Sequence, residues 1–286
     1  MKVALIKPQG FCSGVTRAVK LALKAKEDYP NKNIYILGML AHNQTLIDDL
    51  NEKGFITLEG NDEENINKLN KGDILIFTAH GHDAKLDKLA ESKGLVTYDA
   101  TCFKVQDNLN KIKREIENNH QVIYIGQKGH KEANAALSVS RNVSLYDTKL
   151  LINYQFITDE SPFVINQTTL NFYELSKYHE DILKHFPKAR IENEICNATR
   201  LRQEAILKIE DDADLIVIVG HSKSSNSNKL FEIAKEHYKN ALVVMVNNLE
   251  ELKAIDIKGK KKAALGSGAS TPQYVVDEIY NYLINE

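Results

Sequence analysis

The sequence is poor in cysteine, with three in 286 residues: Cys12, Cys102 and Cys196, an odd set with no two close together. A secreted disulfide framework uses even, clustered sets, so this pattern argues for a reducing, cytoplasmic setting. No C-x2-C pair is present, although closed zinc sites usually draw their four ligands from such pairs. Long apolar runs are also missing. The start, Met1-Lys2-Val3-Ala4-Leu5-Ile6-Lys7, has four consecutive apolar residues before Lys7, short of a signal-peptide core, and no later run reaches spanning length. Charge is nearly balanced, 37 basic against 39 acidic residues for a net of -2, so no global field draws the chain to nucleic acid or to an anionic membrane. Walker and Rossmann fingerprints do not occur, so no NAD or flavin site is expected and any redox step needs an external electron carrier.

What is present is an alternation. Short runs rich in Val, Ile and Leu, such as Ile74-Leu75-Ile76-Phe77, Val122-Ile123-Tyr124-Ile125 and Leu215-Ile216-Val217-Ile218-Val219, are separated by segments of helical period. This predicts an α/β fold with mainly parallel sheets. Each run ends in Gly, His or Thr, and ligand sites in parallel sheets lie beyond the carboxyl ends of strands.

The pattern also repeats. Cys12, Cys102 and Cys196 each open a helical segment, at intervals of 90 and 94 residues. His42, His130 and Asn226 follow their nearest cysteine by 30, 28 and 30 residues, and His80, Thr168 and Ser270 follow by 68, 66 and 74. Such register predicts three copies of one α/β module. The boundaries read as 13–101, 102–195 and 196–286, the last completed by the N-terminal strand within 1–12. Equivalent strand ends would then face a shared centre.

A lone cytosolic cysteine is most often a small buried hydrophobe. Three at helix starts suggest metal binding, because free N-H groups and the helix dipole favour thiolate. Iron–sulfur clusters are held by thiolates, and a four-iron cluster with three of them keeps one iron open to substrate. His42, His80 and His130 each follow an apolar strand, where imidazoles beside backbone N-H groups suit a phosphate or diphosphate. The stretches Ser222–Asn228 and Gly266–Pro272 fit ordinary helix capping and equally an anion cradle. Two rivals stay open on the residues alone. One is a non-enzymatic iron–sulfur sensor or carrier, which needs neither acid nor cradle; the other is a zinc or cluster hydro-lyase, which needs no electron donor.

Pro8-Gln9-Gly10-Phe11-Cys12-Ser13-Gly14-Val15 with Arg17-Ala18 resembles the 4-hydroxy-3-methylbut-2-enyl diphosphate reductase (IspH/LytB) family. Ala79-His80-Gly81, Asp99-Ala100-Thr101-Cys102, Gly129-His130-Lys131-Glu132, Gln167-Thr168-Thr169-Leu170, Arg202-Gln203-Glu204-Ala205 and Ser224-Ser225-Asn226-Ser227-Asn228 look like its other signatures, in order along nearly the whole chain. The resemblance implies three α/β modules in a trefoil-like ring around a central [4Fe-4S] cluster. It implies reductive removal of the allylic hydroxyl from the diphosphate substrate, the last step of the non-mevalonate isoprenoid pathway. By motif position, Cys12, Cys102 and Cys196 would ligate the cluster. His42, His80, His130, Ser224, Ser225, Asn226 and Ser270 would hold the diphosphate, with Thr168 near the substrate hydroxyl and Glu132 supplying protons. Electrons would come from an external donor such as ferredoxin or flavodoxin. Gln9, Phe103 and Lys131 depart from the commonest pattern, which has Arg, Pro and Pro there; Lys131 would put a cation beside the diphosphate.

Overall fold

The computed structural model describes residues 1–150, 154–210 and 212–286. Chain order begins with β1 (Lys2–Leu5), α1 (Ser13–Asp28), β2 (Ile34–Leu37), α2 (Gln44–Glu52), β3 (Phe55–Leu58), α3 (Asp62–Lys68), β4 (Ile74–Phe77), α4 (Ala84–Ser92) and β5 (Val96–Asp99). It continues with α5 (Phe103–Glu117), β6 (Val122–Gly126), α6 (Lys131–Ser138), β7 (Val143–Asp147), β8 (Phe163–Asn166), α7 (Leu175–His185) and β9 (Arg190–Ile191). The last elements are α8 (Asn197–Ile206), β10 (Leu215–Val219), α9 (Ser225–His237), β11 (Leu242–Val246), α10 (Leu249–Lys253), β12 (Lys262–Ser267) and α11 (Gln273–Asn285).

The strands form three four-stranded sheets in which every pairing is parallel. Their orders are β3-β2-β4-β5, β7-β6-β8-β9 and β11-β10-β12-β1. In the first two, the earliest strand lies second, flanked by the next two, with the last strand outside. The third sheet keeps this order, and β1 takes the outer place by pairing with β12 from Lys2↔Lys262 to Leu5↔Leu265. The repeated parallel α/β architecture read from the sequence is therefore present.

Two compact units are distinguished: Met1–Thr16, Ala41–Lys53 and Asn197–Glu286 form one, Arg17–Leu40 and Gly54–Cys196 the other. In the first, alternate residues of β10 serve opposite faces. Leu215, Val217 and Val219 pack with Val275, Val276 and Ile279 of α11, while Ile216 and Ile218 pack with Leu230 and Ile233 of α9. In the second unit, Val122 and Tyr124 of β6 meet Val105, Leu109 and Ile112 of α5 and Ala133 and Ala136 of α6, whereas Ile123 and Ile125 meet Leu175 and Ile182 of α7. Strands covered on both faces need apolar residues at every position, which is why these runs are continuous in the sequence. Among the described residues, no helix is long and apolar enough to cross a membrane.

Candidate active site

One backbone device places all three cysteines. Each donates its N-H to the carbonyl of the residue two past the end of a neighbouring strand: Cys12 to Ala269 after β12 at 2.9 Å, Cys102 to Ala79 after β4 at 3.0 Å, and Cys196 to Thr168 after β8 at 3.1 Å. The ladder simply continues beyond the sheet. Beyond β9, Glu192 N-H donates to the Val164 carbonyl and Glu194 N-H to Asn166 Oδ1 before Cys196 reaches Thr168. Leading up to Cys12, Gly10 N-H donates in the same way to Ser267 Oγ. Each cysteine directly precedes a helix, α1, α5 or α8. None of the three cysteines is in a disulfide, all are partly exposed, and Cys12 Sγ accepts the Val15 N-H at 3.4 Å.

In the second unit, β6 and β8 lie side by side with Ile125 opposite Asn166, so the loops that follow them meet. Glu132, in the first turn of α6, and Thr168, beyond β8, are 3% and 5% exposed. Thr168 donates its N-H to Glu132 Oε1 at 2.7 Å and its hydroxyl to Oε2 at 3.1 Å, while Tyr124 Oη donates to Oε1 at 3.2 Å. Burial raises the Glu132 carboxyl from its ordinary 4.5 to about 7, against the pull of these donors. Such an acid holds its proton near neutrality and can release it there. His130 caps α6 by accepting the Glu132 N-H on Nδ1 at 3.2 Å, so its hydrogen sits on Nε2 as a donor. The His80 and His130 rings are edge to face, with centroids 6.1 Å apart. The structure thus gathers His80, His130, Glu132, Thr168 and the Cys196 backbone.

In the first unit, Ser270 donates its hydroxyl to the His42 carbonyl at 3.0 Å, joining two of the proposed anion ligands. Ser224 caps α9 by accepting the Ser227 N-H, and the Ser227 hydroxyl also donates to Ser224 Oγ. Ser227 is wedged against Gly220 and Gly268, where any Cβ would collide with its side chain. This close approach draws the loops after β10 and β12 together. Asn226 is 5% exposed, yet neither its amide nitrogen nor its amide oxygen has a hydrogen-bond partner. Orphaned buried amides are costly, and one beside a helix N-terminus is suited to an anion.

Three groups near the site behave differently from, or escaped, the sequence reading. Lys131 donates to the Leu37 carbonyl at 3.0 Å and pairs with Asp62 at 3.3 Å, so its ammonium is committed to the sheet of β2 rather than standing free for a diphosphate. Phe103, directly after Cys102, is 60% exposed. Tyr124, the Glu132 partner, was missed; its signal is a hydroxyl-bearing side chain in an otherwise aliphatic strand. Thiolates are the donors that iron–sulfur groups use, and each cysteine stands at a helix start where the thiolate form is favoured. Among the described residues, no three His, Cys, Asp or Glu side chains gather to hold a single metal ion.

Fold and site define the class: a parallel α/β protein of three like-ordered sheets that sets thiols, a buried acid and hydroxyl-rich helix entrances at its strand ends. The chain belongs to the LytB protein family, which matches over residues 3–284. It is 37% identical over 288 residues to a 4-hydroxy-3-methylbut-2-enyl diphosphate reductase of Macrococcus caseolyticus (strain JCSC5402), covering 99% of this chain and 89% of that protein. The enzyme of the same name from Bacillus subtilis (strain 168) is 38% identical over 286 residues, covering 99% and 90%. The solved E-1-hydroxy-2-methyl-but-2-enyl-4-diphosphate reductase of Plasmodium falciparum superposes with a TM-score of 0.88 at 29% identity, covering 99% of this chain and 88% of that one. A second solved structure, (E)-4-hydroxy-3-methyl-but-2-enyl diphosphate reductase, described as the terminal enzyme of the non-mevalonate pathway, gives 0.71 at 27% identity over the full length of both. Family membership carries the reductase activity and implies an iron–sulfur cofactor and a diphosphate substrate.

Proposed function

We propose that this chain reduces (E)-4-hydroxy-3-methylbut-2-enyl diphosphate to isopentenyl and dimethylallyl diphosphate, the last step of the non-mevalonate pathway. Two electrons and two protons enter, the allylic C–O bond breaks, a C–H bond forms and water leaves. The cofactor is a [4Fe-4S] cluster that Cys12, Cys102 and Cys196 would hold, and when bound it would pass electrons on to the substrate and offer a Lewis-acidic iron. The electrons come from an external carrier such as ferredoxin or flavodoxin, in the cytoplasm. The module boundaries 13–101, 102–195 and 196–286 with 1–12 are the repeat units, a division supported by the shared strand order.

The carrying observation is the buried Glu132–Thr168 pair one hydrogen bond from the Cys196 backbone. With the carboxyl protonated, Oε2 donates to Thr168 Oγ1, and Thr168 then turns its own hydrogen outward. A proton so relayed reaches the departing hydroxyl and makes water, not hydroxide, the leaving group. His42, His80, His130, Ser224, Ser225, Asn226 and Ser270 bind the diphosphate with N-H and O-H donors and the α9 N-terminus. This arrangement disfavours the sensor reading, because the acid and the hydroxyl loops adjoin the cysteines through Thr168 and Ala269. The test is anaerobic turnover of Glu132→Gln against wild type, both with full iron and sulfide. A rate loss of at least about a hundredfold is expected, and equal rates would remove Glu132 from the role.

A further inference from the structure

In each helix that follows a cysteine, one cation outside the proposed ligand set bonds to a segment leading up to a cysteine. Arg17, in α1 after Cys12, donates from Nη1 to the carbonyl of Thr101 at 2.8 Å, one residue before Cys102. Lys104, in α5 after Cys102, is ion-paired with Glu194, two residues before Cys196. Arg202, in α8 after Cys196, donates from Nη2 to the carbonyl of Gly10 at 2.7 Å, two residues before Cys12. Each of these cations therefore grips a segment that leads up to a cysteine: Arg17 and Lys104 within the second unit, ahead of Cys102 and Cys196, and Arg202 within the first, ahead of Cys12.

The strongest grip is at Glu194. Its side chain is only 8% exposed and meets two ammonium groups, Lys104 and Lys111, from one face of α5. Lys111 also holds Glu192 at 2.6 Å. The same segment is pinned from below, where Asn166 Oδ1 accepts the Glu194 N-H and Asn108 Nδ2 donates to the Asn166 carbonyl. A buried carboxylate outside the proposed substrate ligands calls for a purpose beyond stability, since buried ion pairs add little net stability.

We propose that Arg17, the Lys104–Glu194 pair and Arg202 are positioning residues, each holding the segment that leads up to a cysteine, Cys102, Cys196 and Cys12 in turn, in its liganding place before any iron arrives. The inference rests on the three-cysteine cofactor reading. Groups that orient metal ligands from outside typically change metal affinity by about ten- to a hundredfold when removed.

The test uses the full chain, reconstituted anaerobically with iron and sulfide, and follows iron release to a chelator alongside the melting temperature of the iron-free protein. Arg17→Met is the cleanest variant because Arg17 is exposed. The expected result is an iron-free melting temperature close to wild type with iron release at least about tenfold faster, and substantial recovery in Arg17→Lys. Glu194→Gln should behave alike, and the swap Lys104→Glu with Glu194→Lys should retain iron better than either single change. Cys102→Ser is the control for the ligand assignment. A wild type that takes up no iron overturns both readings. A wild type that loads, with Arg17→Met and Glu194→Gln releasing iron at its rate, overturns the positioning role alone.

Discussion

Thr168 gives Glu132 two hydrogen bonds, from its backbone N-H at 2.7 Å and its hydroxyl at 3.1 Å, across 36 residues of sequence. A carboxyl so enclosed works as an acid near neutrality, and both its chemistry and its cost to the fold can be measured.

The cost has a definite sign. A carboxyl whose folded pKa is about 7 rather than 4.5 favours the folded state fully below pH 4.5, and that advantage disappears as pH rises through 7. The penalty above pH 7 amounts to about 3 kcal/mol for the 2.5 units between these two values. Glu132→Gln keeps the acceptor for Thr168 N-H and Tyr124 without the charge. Its iron-free form should melt higher than wild type at pH 8 and about equally at pH 4.5. A pH-independent difference would contradict the raised pKa.

Thr168→Val removes the hydroxyl and keeps the shape and the backbone bonds. Turnover should fall by about a hundredfold or more, with Thr168→Ser retaining most of it. Rates within a few-fold of wild type for Val would show that the proton does not pass through Oγ1.

Asn226 offers a contrast between stability and binding. Its amide is buried without partners, so Asn226→Ala should leave the ligand-free melting temperature unchanged or higher. Inhibition by inorganic diphosphate should weaken by about tenfold, as expected for loss of charge-assisted hydrogen bonds. A variant that melts lower and is inhibited normally would make Asn226 structural.

Much of this was legible in the sequence because it is local. The runs at 74–77, 122–125 and 215–219 lie in strands, the cysteines start helices, and the polar residues follow strand ends as the parallel architecture requires. What stayed hidden is pairing over distance. Glu194 and Lys104 lie 90 residues apart with nothing in the sequence to link them, yet the fold buries one against the other. Arg17 and Arg202 reach backbone carbonyls, which leave no mark in a side-chain pattern. Lys131 follows His130, but a helix turns successive residues in different directions, and its long side chain finds Leu37 and Asp62.

Cys102→Ser addresses the cofactor directly. Wild type should take up about four irons per chain on anaerobic reconstitution and the variant much less, since one thiolate of three is gone. Equal iron and sulfide in both would remove Cys102 from the ligand set.

The most direct measurement is anaerobic turnover of (E)-4-hydroxy-3-methylbut-2-enyl diphosphate by the reconstituted protein with a chemical one-electron reductant. The account requires isopentenyl and dimethylallyl diphosphate with two electrons consumed per molecule of product. Full iron and sulfide loading with no conversion of the substrate would contradict it.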